Sequence, residues 1–196
     1  MGYITRETAY FDAPGPQNTD DVIKLCVSRA EEEKINTIVL ASTTGATALS
    51  FQKAVKGKDI RLVVVTHVVG FSEPGVWEFS EKAKASLLAD GHTIVTGTHV
   101  LSGLERALSR SARVGGGSRS AAIAEALRRV VAVGLKVAVE CVLIAADQGA
   151  IGIRDEVIAV GGSATGADCA AVIRPAHTSS FFDLQVREMI AMPRNR

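Results

Sequence analysis

The chain has almost no excess charge, few cysteines and no apolar run of membrane-spanning length. Lysine and arginine total 22 against 21 aspartates and glutamates, a formal net charge of +1. That balance offers no electrostatic case for nucleic acid or an anionic membrane, so charge on any ligand must be met by local groups. Cys26, Cys141 and Cys169 are scattered and odd in number. They match neither a zinc spacing nor a disulfide framework, which points to a reducing compartment. Glu140 and Asp147 interrupt the longest apolar candidate, against a membrane span. The N-terminus has no apolar signal core, and Arg6 stands where a myristoylation motif needs Ser or Thr. A cytoplasmic protein is therefore expected. No His/Cys/Asp/Glu cluster has metal-ligand spacing, and no serine sits in a nucleophile elbow. Without repeats, low-complexity stretches or linkers, residues 1–196 are expected to form a single domain.

What is present is an alternation of helical and strand-like segments, with 47% hydrophobic residues to fill a core. Acids at Asp20 and Asp21 open a helix running to about Lys34, with Val22, Leu25, Cys26 and Ala30 on one face. Thr37–Ala41 and Arg61–Thr66 read as strands apolar on both faces, as in a parallel sheet. Helices over Ala46–Val55 and Ser80–Ala89 and a strand over His92–Thr96 complete a βαβαβ pattern with right-handed crossovers. The second half is less regular. Leu101–Ser109 reads as a short helix and Ser120–Val133 as an amphipathic one. Lys136–Asp147 has strand-like β-branching, but its length and the Gly149 stop favour a buried helix. Glu156–Val160, Ala170–Arg174 and Glu188–Met192 read as strands. The expected class is α/β: a three-layer α/β/α sandwich on a mixed, mainly parallel sheet.

The most informative stretch is Thr37–Thr47. An apolar run ends abruptly in the small and hydroxyl residues Ser42, Thr43, Thr44, Gly45 and Ala46, and a helix follows. A strand that hands over to a helix leaves backbone N–H groups unpaired, and with the helix dipole and nearby hydroxyls they suit a phosphate. Gly45 admits a ligand close to the backbone or a positive φ. The loop lacks Lys and Arg and is neither a Walker loop nor GxGxxG. The other reading is an ordinary strand-to-helix turn capped by Ser or Thr.

Residues 37–48 and 62–66, behind a helix, resemble the C-terminal domain of pyruvate kinase, mainly over residues 19–66. From end to end the chain is similar to stand-alone proteins with that fold, the pyruvate kinase C-terminal domain-like family. The stretches 102–110, 122–128, 145–151 and 172–177, with the tail at 181–183 and 192–195, carry the likeness. The resemblance implies a five-stranded mixed sheet with one antiparallel strand. It also implies flavin mononucleotide (FMN) as cofactor, its phosphate seated at Ser42–Thr47. The catalytic barrel of pyruvate kinase has no counterpart here, so phosphoryl transfer from phosphoenolpyruvate is not expected.

Ligands of such sheets sit at the C-terminal strand edge. Three loops leave it: 42–46, 67–71 and 97–103. Phe71 could pack on a flavin ring and His67 bond its edge, with Gly70 beside them, or Phe71 could cover the core and His67 face solvent. In the third loop, Thr98, His99, Ser102 and Gly103 offer a polar rim, with His99 as a proton handler, while Ser102 could simply cap the next helix. The glycine-rich 114–120 segment reads as a lid or as a flexible connection, with Arg119 able to meet a phosphate or carboxylate. Glu140 and Asp147 share a face if their segment is helical; buried, each needs a partner, and Asp147 is either a helix-end acceptor or a ligand contact. Phe181 and Phe182 suit packing on the body or on a second copy in a homo-oligomer. Three functions follow. One is a flavin-dependent catalyst on a small substrate. Another is a non-catalytic sensor of a phosphorylated metabolite. The third is a phosphometabolite site where flavin is adventitious.

Overall fold

The computed structural model describes residues 2–195. Among the described residues, seven strands form one sheet: β1 Ala9–Phe11, β2 Thr37–Ala41, β3 Arg61–Thr66, β4 Thr93–Thr96, β5 Val157–Gly161, β6 Cys169–Arg174 and β7 Gln185–Pro193. Their spatial order is β1-β7-β6-β5-β2-β3-β4. Only β6 runs against the others, pairing antiparallel with β5 and β7. The mixed, mainly parallel sheet and its single reversed strand agree with expectation, but there are seven strands rather than five. The extra length lies at the β7 edge, where three residues of β1 pair parallel with Ala191–Pro193.

Helices cover both faces. On one side lie α1 Thr19–Glu33, α2 Ala46–Val55 and α3 Glu81–Ala89. Val22, Cys26, Phe51 and Leu87 from these helices pack on Ile38, Leu40, Leu62 and Val64 of the sheet. The intervening strand residues Val39, Val63 and Val65 point the other way and meet α6 Val133–Asp147. This period-two split explains why β2 and β3 are apolar throughout. In α6 all but three of the 15 residues are buried, so its strand-like composition reflects a helix enclosed on nearly every side. Among the described residues, no helix is long and apolar enough to cross a membrane.

The region between β4 and α6 departs most from expectation. α4 Gly103–Arg110 buries none of its residues. α5 Arg119–Ala126 starts at a cap, Ser118 Oγ accepting from the Ala121 amide at 3.0 Å. It then widens into a π turn over Leu127–Val131 instead of continuing as one amphipathic helix. All three cysteines are buried. Burial pushes the thiols up, Cys141 and Cys169 to about 12 and Cys26 further, so all stay protonated.

Candidate functional site

β2 lies between β5 on one side and β3 on the other, so its C-terminal end faces the crevice where the connections diverge, the usual ligand position in an open α/β sheet. The chain leaves β2 at Ser42, whose amide donates to the Val65 carbonyl at 3.0 Å. Buried Ser42 Oγ accepts from the Ala48 amide at 3.3 Å. The capping reading of the turn is thus met by one hydroxyl and one amide. The amides of Gly45, Ala46 and Thr47 have no acceptor among the described residues, so the start of α2 keeps donors for an anion. Gly45 has φ +98°, and a Cβ there would lie 2.5 Å from the Ala83 Cβ. Glycine is required by backbone conformation and by the approach of α3; its bare Cα does not face a ligand.

β3 ends in Thr66. Its hydroxyl donates to the His67 carbonyl at 2.9 Å, accepts from Trp77 Nε1 at 3.2 Å and lies 2.8 Å from the Thr96 hydroxyl. This knot fixes His67 at the head of its loop. His67 Nδ1 is 3.0 Å from Glu78 Oε2, and its Nε2 is 3.5 Å from Thr43 Oγ1. The Ser72 hydroxyl and the His67 ring hold the Glu78 carboxyl below its ordinary value. Phe71 lies over His67 with centroids 3.8 Å apart and stacks on His99 at 5.2 Å. It is 45% exposed, so it roofs the site with one face open to solvent.

Beneath, α6 contributes a buried ion pair, Lys136 with Glu140, one helical turn apart. Glu140 Oε1 accepts from the Leu101 amide at 2.8 Å, and its other oxygen lies 4.0 Å from His99 Nδ1. His99 Nε2 is buried without a partner among the described residues. Burial lowers the His99 pKa; Glu140 opposes that shift, and His67, Lys136 and Arg106 add to it. His99 is therefore neutral near pH 7, with one ring nitrogen unused.

These groups enclose a cavity of about 180 Å³. Of the residues singled out from sequence, Ser42, Thr43, His67, Phe71, His99 and Ser102 line it. Thr44, Gly45, Ala46 and Thr47 form the adjoining start of α2. Gly70 and Thr98 lie in the expected loops and Gly103 opens α4, all outside the cavity wall. Two residues go elsewhere. Arg119 is exposed on α5 and does not reach the cavity. Asp147 accepts from the Thr178 amide at 3.1 Å and hydroxyl at 2.5 Å, with His177 Nδ1 at 3.3 Å. Burial works to raise its pKa, but these bonds hold it below the ordinary value. It is a helix-end acceptor.

Sequence reasoning missed the cations. Lys136 lines the cavity from α6, Arg106 from α4 and Arg128 from the π turn. Opposite charges four apart inside an apolar helix were the available signal for Lys136 and Glu140. Nothing local marked Arg106 or Arg128. A larger hollow of about 600 Å³ lies around Asn36, Arg61 and His92. It sits where β2, β3 and β4 begin, away from the carboxyl ends that bind ligands in such sheets, and it gathers none of the paired groups described above.

The model of the pyruvate kinase alpha/beta domain matches residues 20–173. The chain belongs to that family. Among solved structures, Cryptosporidium parvum pyruvate kinase in complex with ADP aligns with 84% of this chain at 14% identity, with a TM-score of 0.40. The match covers 25% of the length of that pyruvate kinase chain.

Proposed function

We propose that this alpha/beta domain binds a phosphorylated small ligand, with the phosphate at the start of α2 and FMN as the specific ligand. One observation carries the reading. The unpaired amides of Gly45, Ala46 and Thr47 stand beside a cavity lined by Lys136, Arg106 and Arg128. Backbone donors and a helix dipole alone suit an anion; Glu140 offsets Lys136 and Glu125 offsets Arg128, so the added potential rests mainly on Arg106. The polar end of FMN fits that set. Its ring would lie against the exposed face of Phe71, outside the cavity. When bound, the flavin would supply its own redox chemistry, while Phe71 and His99 pack and orient it and Glu140 keeps Lys136 in position.

A second reading, a regulatory module for a smaller phosphorylated metabolite, is favoured by size. About 180 Å³ is well below the roughly 300–1,000 Å³ usual for drug-sized ligands.

Ala46→Pro tests both. Ala46 is the first residue of α2, a position where proline is tolerated, so the variant loses one amide donor and keeps the helix. Affinity for FMN and for inorganic phosphate, measured calorimetrically, should fall about tenfold, worth about 1.4 kcal/mol. Because proline also strains the Gly45 turn before it, at ψ −9°, the melting temperature of the variant is measured alongside. Arg106→Gln, which leaves the turn intact, should show a similar fall. Equal affinity in the variant and the parent rejects the phosphate seat. Phosphate binding without FMN binding selects the smaller metabolite.

A further inference from the structure

We propose that Thr43, His67 and Glu78 form a relay for acyl transfer, with Thr43 as the nucleophile toward short esters that carry an anionic group. The relay is geometric. Thr43 Oγ1 faces His67 Nε2 at 3.5 Å, and His67 Nδ1 faces Glu78 Oε2 at 3.0 Å on the far side of the ring. A carboxylate on Nδ1 fixes the tautomer that leaves Nε2 free to accept a proton, and hydroxyl-to-base distances of this size tighten when substrate binds. The three residues come from three separate segments: the β2–α2 turn, the end of β3 and the loop before α3. No local pattern in the sequence joins them. Thr43 also stands at a sharp strand-to-helix turn, two residues before the first unpaired amide of α2.

The cavity supplies the rest of the chemistry. Thr43 and His67 both line it, and so do Lys136, Arg106 and Arg128. A volume of about 180 Å³ admits a short acyl group and excludes a long chain. Arg106, beside the carboxylate-paired Lys136 and Arg128, favours an anionic substituent on the ester, and Phe71 closes the roof over His67.

The steps balance without a cofactor. Thr43 Oγ bonds to the acyl carbon as its proton passes to His67 Nε2. The carbon–oxygen bond to the alcohol breaks, and the departing oxygen takes that proton. Water then attacks the acyl-threonine ester, giving a proton to His67, which returns it to Thr43 Oγ as the carboxylic acid leaves. The amides of α2 donate to the oxyanion in both halves. Glu78 stays ionised and acts as a positioning residue through His67. The relay goes beyond the binding reading and does not depend on a phosphate being the natural ligand.

The experiment uses the full chain with p-nitrophenyl acetate, the p-nitrophenyl half-ester of succinate and a fluorophosphonate label. A stoichiometric nitrophenol burst should appear, with kcat/KM for the half-ester at least about tenfold above that for the acetate. Peptide mapping should locate the fluorophosphonate on Thr43. Thr43→Val should abolish burst and label, Thr43→Ser should retain both, and His67→Asn should slow acylation about a hundredfold. Glu78→Gln should lower kcat with KM unchanged, and Glu78→Asp should recover part of it. Phosphate affinity of Thr43→Ser, measured in parallel, separates failure of the relay from failure of the binding site. A burst that survives Thr43→Val, a label on another residue, or no label on folded protein overturns the relay.

Discussion

The two walls of the cavity are built in opposite ways. The β2–α2 corner is made of neighbours in sequence, with Ser42 and Gly45 buried and α3 packed behind them. The wall facing it comes from 97–131, where α4 buries nothing and Leu104 is 71% exposed. One wall is a rigid cradle for which the protein's core supplies the support. The other holds Arg106 and Arg128 on a thinly packed cover. The contrast teaches that affinity and stability are separable here: the cradle should govern whether the protein folds, and the cover how tightly it holds an anion.

The largest effect should come from the floor between them. Lys136→Met leaves Glu140 buried without its cation and should cost about 3–5 kcal/mol in urea unfolding, with Lys136→Met/Glu140→Leu recovering most of it. If the single variant is as stable as the parent, the pair is not structural. Next comes a matched pair of glycines. Gly45 and Gly116 have φ of +98° and +99°, but a Cβ at Gly45 would strike Ala83 whereas one at Gly116 would meet nothing within 4 Å. Alanine at Gly116 should cost about 1 kcal/mol from backbone strain alone, and at Gly45 about 3 kcal/mol. Equal losses would erase the distinction between the walls.

Arg106→Gln should weaken phosphate binding about tenfold while moving stability by less than about 0.5 kcal/mol. A change in unfolding as large as the change in binding would make the cover part of the core. The smallest effect concerns pH. The folded His99 pKa lies below the ordinary value of about 6.5. As pH falls through that value toward the lower folded one, the unfolded chain binds the proton first and stability declines; above it, His99 contributes no slope. His99→Asn should therefore flatten the acid limb of melting temperature against pH and leave the neutral plateau alone. His92, whose pKa burial also lowers, supplies a slope that persists in that variant.

Legibility followed sequence distance. β2, β3 and the α2 turn could be read because strand, loop and helix are contiguous and their apolar runs are unambiguous. β1 could not, because three residues become a strand only by pairing with β7 near the other end of the chain. The phosphate-suited loop was visible for the same local reason. The Thr43–His67–Glu78 alignment and the arrival of Arg106 and Arg128 beside Lys136 are tertiary facts with no trace in spacing. Arg119 drew attention by adjacency to glycines, but helix geometry delivers Arg128 instead: the π turn at Leu127–Val131 begins immediately before it.

The shut-away thiols give the molecule an internal clock. An alkylating reagent meets Cys26 or Cys169 only after the packed layers around the sheet separate, so their labelling counts openings of the main body. Cys141 borders the cavity, so its labelling counts excursions of the α4–α5 cover instead. The ratio of the two rates, followed with and without an anion, would time the cover against the body with no probe added.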